Sequence, residues 1–251
     1  MTGLVSRRNL LVGGGSLLLA GCDRVSSSPT VRETLSWGER ASRSAQRWLI
    51  GDRQALASEF TRADLSPVFR VNGSTHVTAA DYMRHAANGF ADWTLAVDGL
   101  VAQPLSLSLG ALRAAPSRTQ ITRHDCVEGW SAIAEWTGVP LGLLLRRAGL
   151  STRARYIVFH CADSLAGKPY YESIDLVDAF HPQTILAYAM NRAPLPIGHG
   201  APLRLRVERQ LGYKHAKYVM RIEAVESLSG LHGGKGGFWE DAHDYQWYAG
   251  I

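Results

Sequence analysis

The sequence predicts an α+β protein with a strand-rich mixed core and peripheral helices. Helical spacing of apolar residues is concentrated before Trp93, whereas strand-like runs dominate after it. The chain has 251 residues, of which 46% are hydrophobic, so it can bury one substantial core or two small ones. Neither an internal repeat nor a low-complexity segment interrupts the pattern.

The first 22 residues indicate targeting rather than folding. A twin arginine, Arg7-Arg8, precedes an apolar run over 10–20, which is too short for a comfortable membrane span and is typical of a signal peptide. Twin arginines at this place mark the route that exports folded proteins. Leu19-Ala20-Gly21-Cys22 predicts a lipobox, with residues 1–21 as the signal and Cys22 acylated. An uncleaved anchor and a plain signal remain alternatives.

Residues 22–68 are expected to form a tether and an N-terminal helical region. Ser26-Ser27-Ser28-Pro29 is typical of a tether, and apolar positions from Glu33 to about Ser58 follow a helical period. A second helix is predicted through Ala87, with an N-cap within 78–81 and a stop at Asn88-Gly89.

The remaining elements are mostly strands. Trp93 to Val97 predicts a strand before an Asp98-Gly99 turn, and residues 105–109 alternate, although Ser108 could instead cap a short helix. A helix begins at Pro140 and ends at Gly149. Later strands are predicted over 155–161, 184–190, 202–207 and 218–225, with a turn over 191–196.

Positive charge is concentrated in one segment, residues 198–221. Its basic residues, opposed by Glu208 alone, are Arg204, Arg206, Arg209, Lys214, Lys217 and Arg221. The segment's net charge of +5 equals that of the whole chain. Interleaved Leu and Val predict an anion site on strands rather than a nucleic-acid tail. A solvated strand edge, or pairing of Arg204 with Glu208, remains an alternative.

Cys126 lies in the run 122–130, two residues after His124, three after Arg123 and two before Glu128. Nearby positive charge favours an ionised thiol, which is a soft ligand suited to a redox metal. Since Cys22 is expected to be acylated, a disulfide between Cys126 and Cys161 is the main alternative in an oxidising compartment. No zinc spacing, nucleotide loop or serine triad competes with a metal site.

The run 122–130 resembles the metal-bearing loop of the sulfite-oxidase-like molybdopterin oxidoreductases. Further runs at 187–204, 211–217 and 233–251 resemble later blocks of that family in the same order and spacing. The resemblance covers about 69–251, the predicted molybdopterin-binding domain. Cys126-Val127-Glu128-Gly129-Trp130 is most similar to the branch of periplasmic protein-methionine-sulfoxide reductase catalytic subunits.

The resemblance implies the sulfite-oxidase fold and one molybdenum held by molybdopterin, with Cys126 as its protein ligand. It implies Cys126, Glu128 and Cys161 as catalytic positions. The implied cofactor-binding positions are Asn72, Arg123, Cys126, Cys161, His199, Arg204, His215, Ala216 and Lys217. The backbone N–H groups of His215 and Ala216 could also face the phosphate. Glu128 could shuttle protons, or pair with a neighbouring arginine. His199 and Cys161 depart from the branch, which has an amide and a hydroxyl there.

The expected function is oxygen-atom transfer by an exported, lipid-anchored periplasmic enzyme that reduces sulfoxide-type substrates, including methionine sulfoxide. Because no haem, flavin or iron–sulfur motif is visible, electrons are expected from a separate membrane haem protein or cytochrome. We expect a monomer that binds no nucleic acid and reaches the membrane through Cys22. Oxidation of a small anion such as sulfite, with a cytochrome acceptor, is one alternative. A metal-free scaffold lipoprotein is another.

Overall fold

The computed structural model describes residues 28–49 and 55–251, and the chain divides into two compact units, Met1–Gly51 and Asp52–Ile251. The predicted twin-arginine signal and Cys22 lie outside the described residues. The second unit contains all described strands and includes the described part of 52–68, which the sequence-based boundary assigns to the N-terminal region.

The helices and strands are short, as expected for a strand-rich chain. The helices are α1 (Pro29–Leu49), α2 (Ala80–Ala87), α3 (Leu109–Ala114), α4 (Leu141–Ala148), α5 (Leu176–Ala179) and α6 (Phe238–His243). The strands are β1 (Thr94–Gly99), β2 (Leu105–Ser108), β3 (Arg118–Asp125), β4 (Ser131–Pro140), β5 (Tyr156–Leu165), β6 (Lys168–Asp175), β7 (Ile185–Met190), β8 (Ala193–Pro194), β9 (Arg204–Arg206) and β10 (Val219–Val225). Single 3-10 turns occupy Arg62–Asp64, Ile197–His199 and Gly212–Lys214.

The described strands form two five-stranded sheets. The first has the order β2-β1-β10-β5-β6, in which β1 and β10 are parallel and the other neighbours are antiparallel. The second has the order β3-β4-β7-β8, and β9 also pairs with β7. The main apolar core draws buried side chains from both sheets, including Phe159 and Ile222 from the first and Val139 and Leu186 from the second. The predicted α+β class is confirmed.

Several local predictions are confirmed by the caps. Asn88 ends α2, and Gly149, in a left-handed conformation with φ of 68°, ends α4. The two alternatives around Ser108 both hold in part: β2 ends at Ser108, and its side chain then accepts a hydrogen bond from the Ala111 N–H at 3.1 Å, capping α3.

The helix predicted from Glu33 to about Ser58 is wrong at its end. Instead, α1 ends at Leu49, and residues 55–60 run extended. The Ala57 backbone N–H donates to the Gln183 side chain at 2.8 Å, and its carbonyl accepts from the same amide at 3.0 Å. Glu59 also bridges to Thr122 of β3. Hydrogen-bond partners distant in sequence therefore satisfy the backbone groups of this segment. The spacing of apolar residues cannot reveal such partners.

Candidate active site

Cys126 occupies the turn of the β3–β4 hairpin. Its N–H donates to the Trp130 carbonyl at 2.9 Å, and its own carbonyl accepts from the Gly129 N–H at 3.0 Å. Gly129 has a φ of +83°, in the left-handed region where a residue without a Cβ is favoured. The Asn72 side-chain amide donates to the Cys126 Sγ at 3.3 Å. Loop and amide together fix the position of the sulfur.

A cavity of about 120 Å³ opens beside this sulfur. The residues that line it come from distant parts of the chain: Asn72, Gly73, Ser74, Cys126, Val127, Glu128, Asp163, Leu165, Tyr170, Arg204, Gly212, Tyr213, His215, Lys217, Trp239 and Tyr245. The structure therefore brings six predicted site residues to one cavity, and the other four lie elsewhere. The six are Asn72, Cys126, Glu128, Arg204, His215 and Lys217.

The prediction that sequence neighbours ionise Cys126 is wrong in this structure. Burial is the largest influence on the thiol and raises its pKa above the ordinary value. Arg123 is exposed and forms an ion pair with Asp125 at 2.9 Å. His124 is buried, and burial beside Arg206 holds its pKa well below the ordinary value, so it is neutral. Neither neighbour supplies the expected positive charge.

The basic segment separates into paired and unpaired cations. Four of its six residues form ion pairs: Arg206 with Glu208, Arg209 with Asp178, Lys214 with Glu172 and Glu240, and Arg221 with Asp98 and Glu223. The described residues provide no carboxylate partner within ion-pair distance of Arg204 or Lys217. The alternative pairing of Arg204 with Glu208 is therefore excluded, because Arg206 binds that carboxylate. Both unpaired cations line the cavity.

Arg204 and Lys217 are held by backbone carbonyls instead. The Arg204 Nη1 donates to the His199 carbonyl at 3.2 Å, while its buried Nε has no partner among the described residues. The Lys217 Nζ donates to the carbonyls of Asn72 at 2.7 Å and Gly198 at 3.0 Å, and to that of Ser74. These carbonyls orient the cations without neutralising them.

Burial and mutual repulsion lower the pKa values of these groups. The pKa of Arg204 falls to about 9, chiefly through burial and then through Arg206. That of Lys217 falls to about 7 and that of His199 to about 4, each through burial first and Arg204 second. A desolvated pair of cations without a counterion is a site that an anion would stabilise.

His215 and Ala216 contribute differently from the prediction. The backbone N–H of His215 donates to Gly212, and that of Ala216 donates to Lys214, so neither faces the cavity as expected. The local chain turns through Gly212–Lys214, and this turn uses both donors. The His215 side chain remains available: its Nε2 contacts the Gln210 carbonyl at 3.0 Å, and its buried Nδ1 has no partner among the described residues.

A buried polar cluster supports the cavity floor. Arg206 donates twice to Glu208, at 2.9 and 2.6 Å, and its Nη1 donates to the His124 Nδ1 at 3.1 Å. The same guanidinium lies 4.4 Å from the centre of the Trp136 ring. Gly212 approaches the His124 ring so closely that a Cβ there would lie 2.4 Å from the imidazole. Trp136 is therefore a buried support rather than a cavity wall.

The other predicted residues have distinct surroundings. Glu128 is exposed and accepts from the Trp130 indole N–H at 3.0 Å, rather than pairing with an arginine. Cys161 lies on β5, and burial raises the pKa of its thiol well above the ordinary value. Cys126 and Cys161 are both free thiols. His199 packs edge-on against the Phe69 ring, with centroids 5.5 Å apart. Among the described residues, Arg123, Cys161, His199 and Ala216 do not line the cavity.

Two features of the cavity were missed by sequence reasoning. Asp163 lines it at 5% exposure, its Oδ1 lacks a partner among the described residues, and burial raises its pKa. The C-terminal segment supplies Trp239 and Tyr245, whose rings stack at 5.6 Å on the rim. A single carboxylate in a strand gives no sequence signal for a site. The aromatic residues of the C-terminal segment, by their spacing, could have indicated that this segment forms one wall of the cavity.

The donor set fits a molybdopterin cofactor. Cys126 offers a sulfur at the mouth of the cavity, held by the Asn72 amide. The unpartnered Arg204 Nε and the cationic Lys217 offer the donors and positive charge that a phosphate requires. Among the described residues no cluster of three or more His, Cys, Asp or Glu side chains is placed to hold a metal ion. A thiolate is a soft ligand, which suits a redox metal whose other ligands come from a cofactor.

Comparison with known proteins gives a consistent picture. Residues 82–230 match the family model of the oxidoreductase molybdopterin binding domain. A relative from Azospira oryzae, a proposed protein-methionine-sulfoxide reductase subunit YedZ1, is 36% identical over 247 residues, covering 97% of this chain and 86% of the relative. The protein-methionine-sulfoxide reductase catalytic subunit MsrP of Xanthomonas axonopodis is 40% identical over 147 residues. That match covers 54% of this chain but only 46% of the relative.

A solved structure agrees with the fold. The sulfane dehydrogenase SoxCD from Paracoccus pantotrophus is 25% identical, with a TM-score of 0.50. The match covers 55% of this chain and 39% of that protein.

Proposed function

The chain belongs to the molybdopterin-binding oxidoreductase family, close to the MsrP branch, and we propose that it transfers oxygen atoms at a molybdenum ligated by Cys126. Its cofactor is Mo-molybdopterin, and its class is molybdenum oxidoreductase. The ligation by Cys126, the sulfoxide-type substrate and export to the periplasm are the parts that we propose.

One observation carries the proposal: the Cys126 sulfur shares a cavity with two cations that have no carboxylate partner. Within the basic segment 198–221, Arg204 and Lys217 are the two cations without a carboxylate partner among the described residues, although the other four are neutralised. Keeping a charge buried and unpaired is unfavourable unless a ligand supplies the counterion. A phosphate-bearing cofactor whose metal reaches the thiol would use both features at once.

The chain's own residues have separate tasks in this scheme. When bound, the cofactor supplies a metal that exchanges an oxygen atom and electrons with the substrate. Arg204, Lys217 and His215 bind and orient the cofactor's anionic end, and Asn72 holds the Cys126 sulfur through its amide. Coordination to the metal would remove the thiol proton despite burial. We propose that the four remaining predicted residues act indirectly, by supporting the residues that line the cavity. They are Arg123, Cys161, His199 and Ala216.

Reduction of a sulfoxide consumes two protons as well as two electrons and releases water. Asp163 is suited to deliver a proton, because it lies buried in the cavity and burial raises its pKa, so that it holds its proton at a higher pH than an exposed aspartate does. Glu128 is exposed and anchored by Trp130, so it can exchange protons between solvent and the cavity mouth. The aromatic rim of Trp239 and Tyr245 suits a sulfur-bearing side chain.

The cellular setting follows the same proposal. Residues 1–21 would direct export of the folded protein to the periplasm, Cys22 would carry a lipid anchor, and residues 69–251 would form the catalytic domain. A separate membrane haem protein would donate electrons to this monomer. The names of the relatives, which describe subunits of methionine-sulfoxide reductases, support the substrate and the existence of a partner subunit.

A second direction of turnover has one observation in its favour. The similar solved structure is named as a sulfane dehydrogenase, which oxidises its substrate. Oxidation of a small sulfur anion such as sulfite, with a cytochrome acceptor, is therefore the competing function. The binding residues would be the same, and the substrate assay decides between the two.

The first experiment is elemental analysis of the exported protein, together with Cys126→Ser. We expect about one molybdenum per chain, and loss of metal or of turnover in the variant. Cys161→Ser makes the same chemical change at the other free thiol. An equal loss at both positions would contradict ligation by Cys126 alone. Turnover of methionine sulfoxide with a reduced dye, against turnover of sulfite with an oxidised acceptor, then assigns the direction.

A further inference from the structure

Helix α1 presents an apolar face to solvent. Leu35, Trp37 and Trp48 are 64%, 65% and 79% exposed, which is unusual for side chains of this size. Trp37, Ala41, Ala45 and Trp48 are spaced by four, four and three residues, so they lie along one side of the helix. The exposed surface is therefore a continuous stripe with a large aromatic residue near each end.

The same helix is rich in positive charge. Its 21 residues include four arginines and two glutamates, a net charge of +2. None of the described helices is long and apolar enough to cross a bilayer, and α1 has too many charges to do so. Low overall hydrophobicity, an apolar stripe with tryptophan and an excess of arginine together characterise helices that lie in a membrane interface.

We propose that α1 lies on an anionic phospholipid surface, with Trp37 and Trp48 inserted at the level of the headgroups. Charge complementarity selects the lipid, because the net positive helix and anionic headgroups attract each other. Tryptophan is also the side chain that favours this depth, since its ring is amphipathic. A protein groove would not require an excess of arginine. The surface is independent of the reaction at the cavity and adds to any acyl chain on Cys22.

The test uses a chain that begins at residue 23, so that neither the signal nor an acyl group can bind lipid. It retains every described residue, including both sheets. Co-sedimentation is measured with vesicles of phosphatidylcholine alone and with phosphatidylglycerol added. We expect binding to the anionic vesicles about tenfold tighter than to the neutral ones, and weaker at high salt.

The decisive variant is Trp37→Ala with Trp48→Ala. Alanine preserves the helix, and loss of two inserted indoles should weaken binding about a hundredfold, roughly tenfold for each. Met83→Ala, which removes an apolar side chain 56% exposed on α2, is the matched control and should bind as the parent does. Failure to bind either vesicle, or equal binding by the double variant, overturns the proposal. Binding only to vesicles that contain a membrane protein would assign the stripe to a protein partner and also overturn it.

Discussion

Replacing Lys214 by methionine should destabilise the protein strongly, because this ammonium lies between two buried carboxylates. Its Nζ donates to Glu172 and, at 2.6 Å, to Glu240, and all three side chains are essentially inaccessible to solvent. Lys214 lies between the cavity residues Tyr213 and His215. The network therefore joins β6, the 212–214 turn and α6 behind the candidate site.

Removal of one partner from a buried ion pair costs about 3–5 kcal/mol, since the remaining charges are left unpaired. The unit that contains the network, Asp52–Ile251, has 200 residues. At that size each kcal/mol lowers the melting temperature by about 2–4 °C, so Lys214→Met should lower it by about 6–20 °C.

The loss should also depend on pH. Burial and the neighbouring Glu240 already raise the pKa of Glu172 well above its ordinary value. Without the ammonium, Glu172 loses the positive charge that favours its ionised form, so its pKa should rise further. A carboxyl whose pKa is raised on folding contributes stability that is present below its unfolded pKa of about 4.3 and lost as the pH rises. Because the parent already loses part of this stability, the difference between variant and parent should widen as the pH rises between about pH 5 and pH 8 by no more than about 1.4 kcal/mol per pH unit.

The assay is thermal and urea unfolding across that pH range, with Lys235→Met as the matched control. Lys235 also pairs with a carboxylate, Asp244, but both side chains are more than half exposed. An exposed pair contributes about 0–1 kcal/mol, so the control should change little. Equal losses in the two variants, or a loss at Lys214 that does not change with pH, would refute the reasoning.

Three further predictions concern the cavity. Gly212→Ala should lower both molybdenum content and melting temperature, because the new Cβ would lie 2.4 Å from the His124 ring. Overpacking of this kind costs about 1–3 kcal/mol of folding stability. An unchanged metal content would contradict the predicted effect on the site. Asp163→Asn should slow sulfoxide reduction by about tenfold or more while molybdenum content stays constant, and unchanged turnover would remove Asp163 from proton delivery. Calorimetry should show that cofactor-free protein binds sulfate more tightly as the pH falls through about 7, because Lys217 gains its proton there. Lys217→Met should abolish that pH dependence, since Arg204 stays charged over this range.

The fold class and six of the ten described strands, β1, β2, β5, β7, β9 and β10, could be predicted from the sequence because their apolar patterns are regular. The strands β3, β4, β6 and β8 were not predicted. In β3 the buried face is polar: Gln120, Thr122 and His124 alternate with exposed or half-buried neighbours. A search for alternating apolar residues does not detect such a strand. Two of these buried groups have partners next to the candidate site: Gln120 donates to Glu208, and His124 accepts from Arg206.

The family-like sequence runs predicted Asn72, Cys126, Arg204 and Lys217 as site residues, and all four line one cavity. The structure does not supply the expected ionisation of Cys126, because Arg123 is exposed and pairs with Asp125, while burial beside Arg206 keeps His124 neutral.

Charge counting likewise located the basic segment but could not separate its members. The carboxylates that neutralise most of them come from distant positions, including Asp98, Glu172 and Asp178.

The C-terminal wall of the cavity affects how the protein is made. Trp239 and Tyr245 lie within the last 13 residues of the 251-residue sequence, and Ile251 donates its N–H to the Arg209 carbonyl at 3.1 Å. Domains begin to fold from their N-terminal side during synthesis. The cavity, however, cannot close until these final residues leave the ribosome. A complete cofactor cavity therefore requires synthesis past Tyr245, and a chain truncated before Trp239 would leave the cavity open.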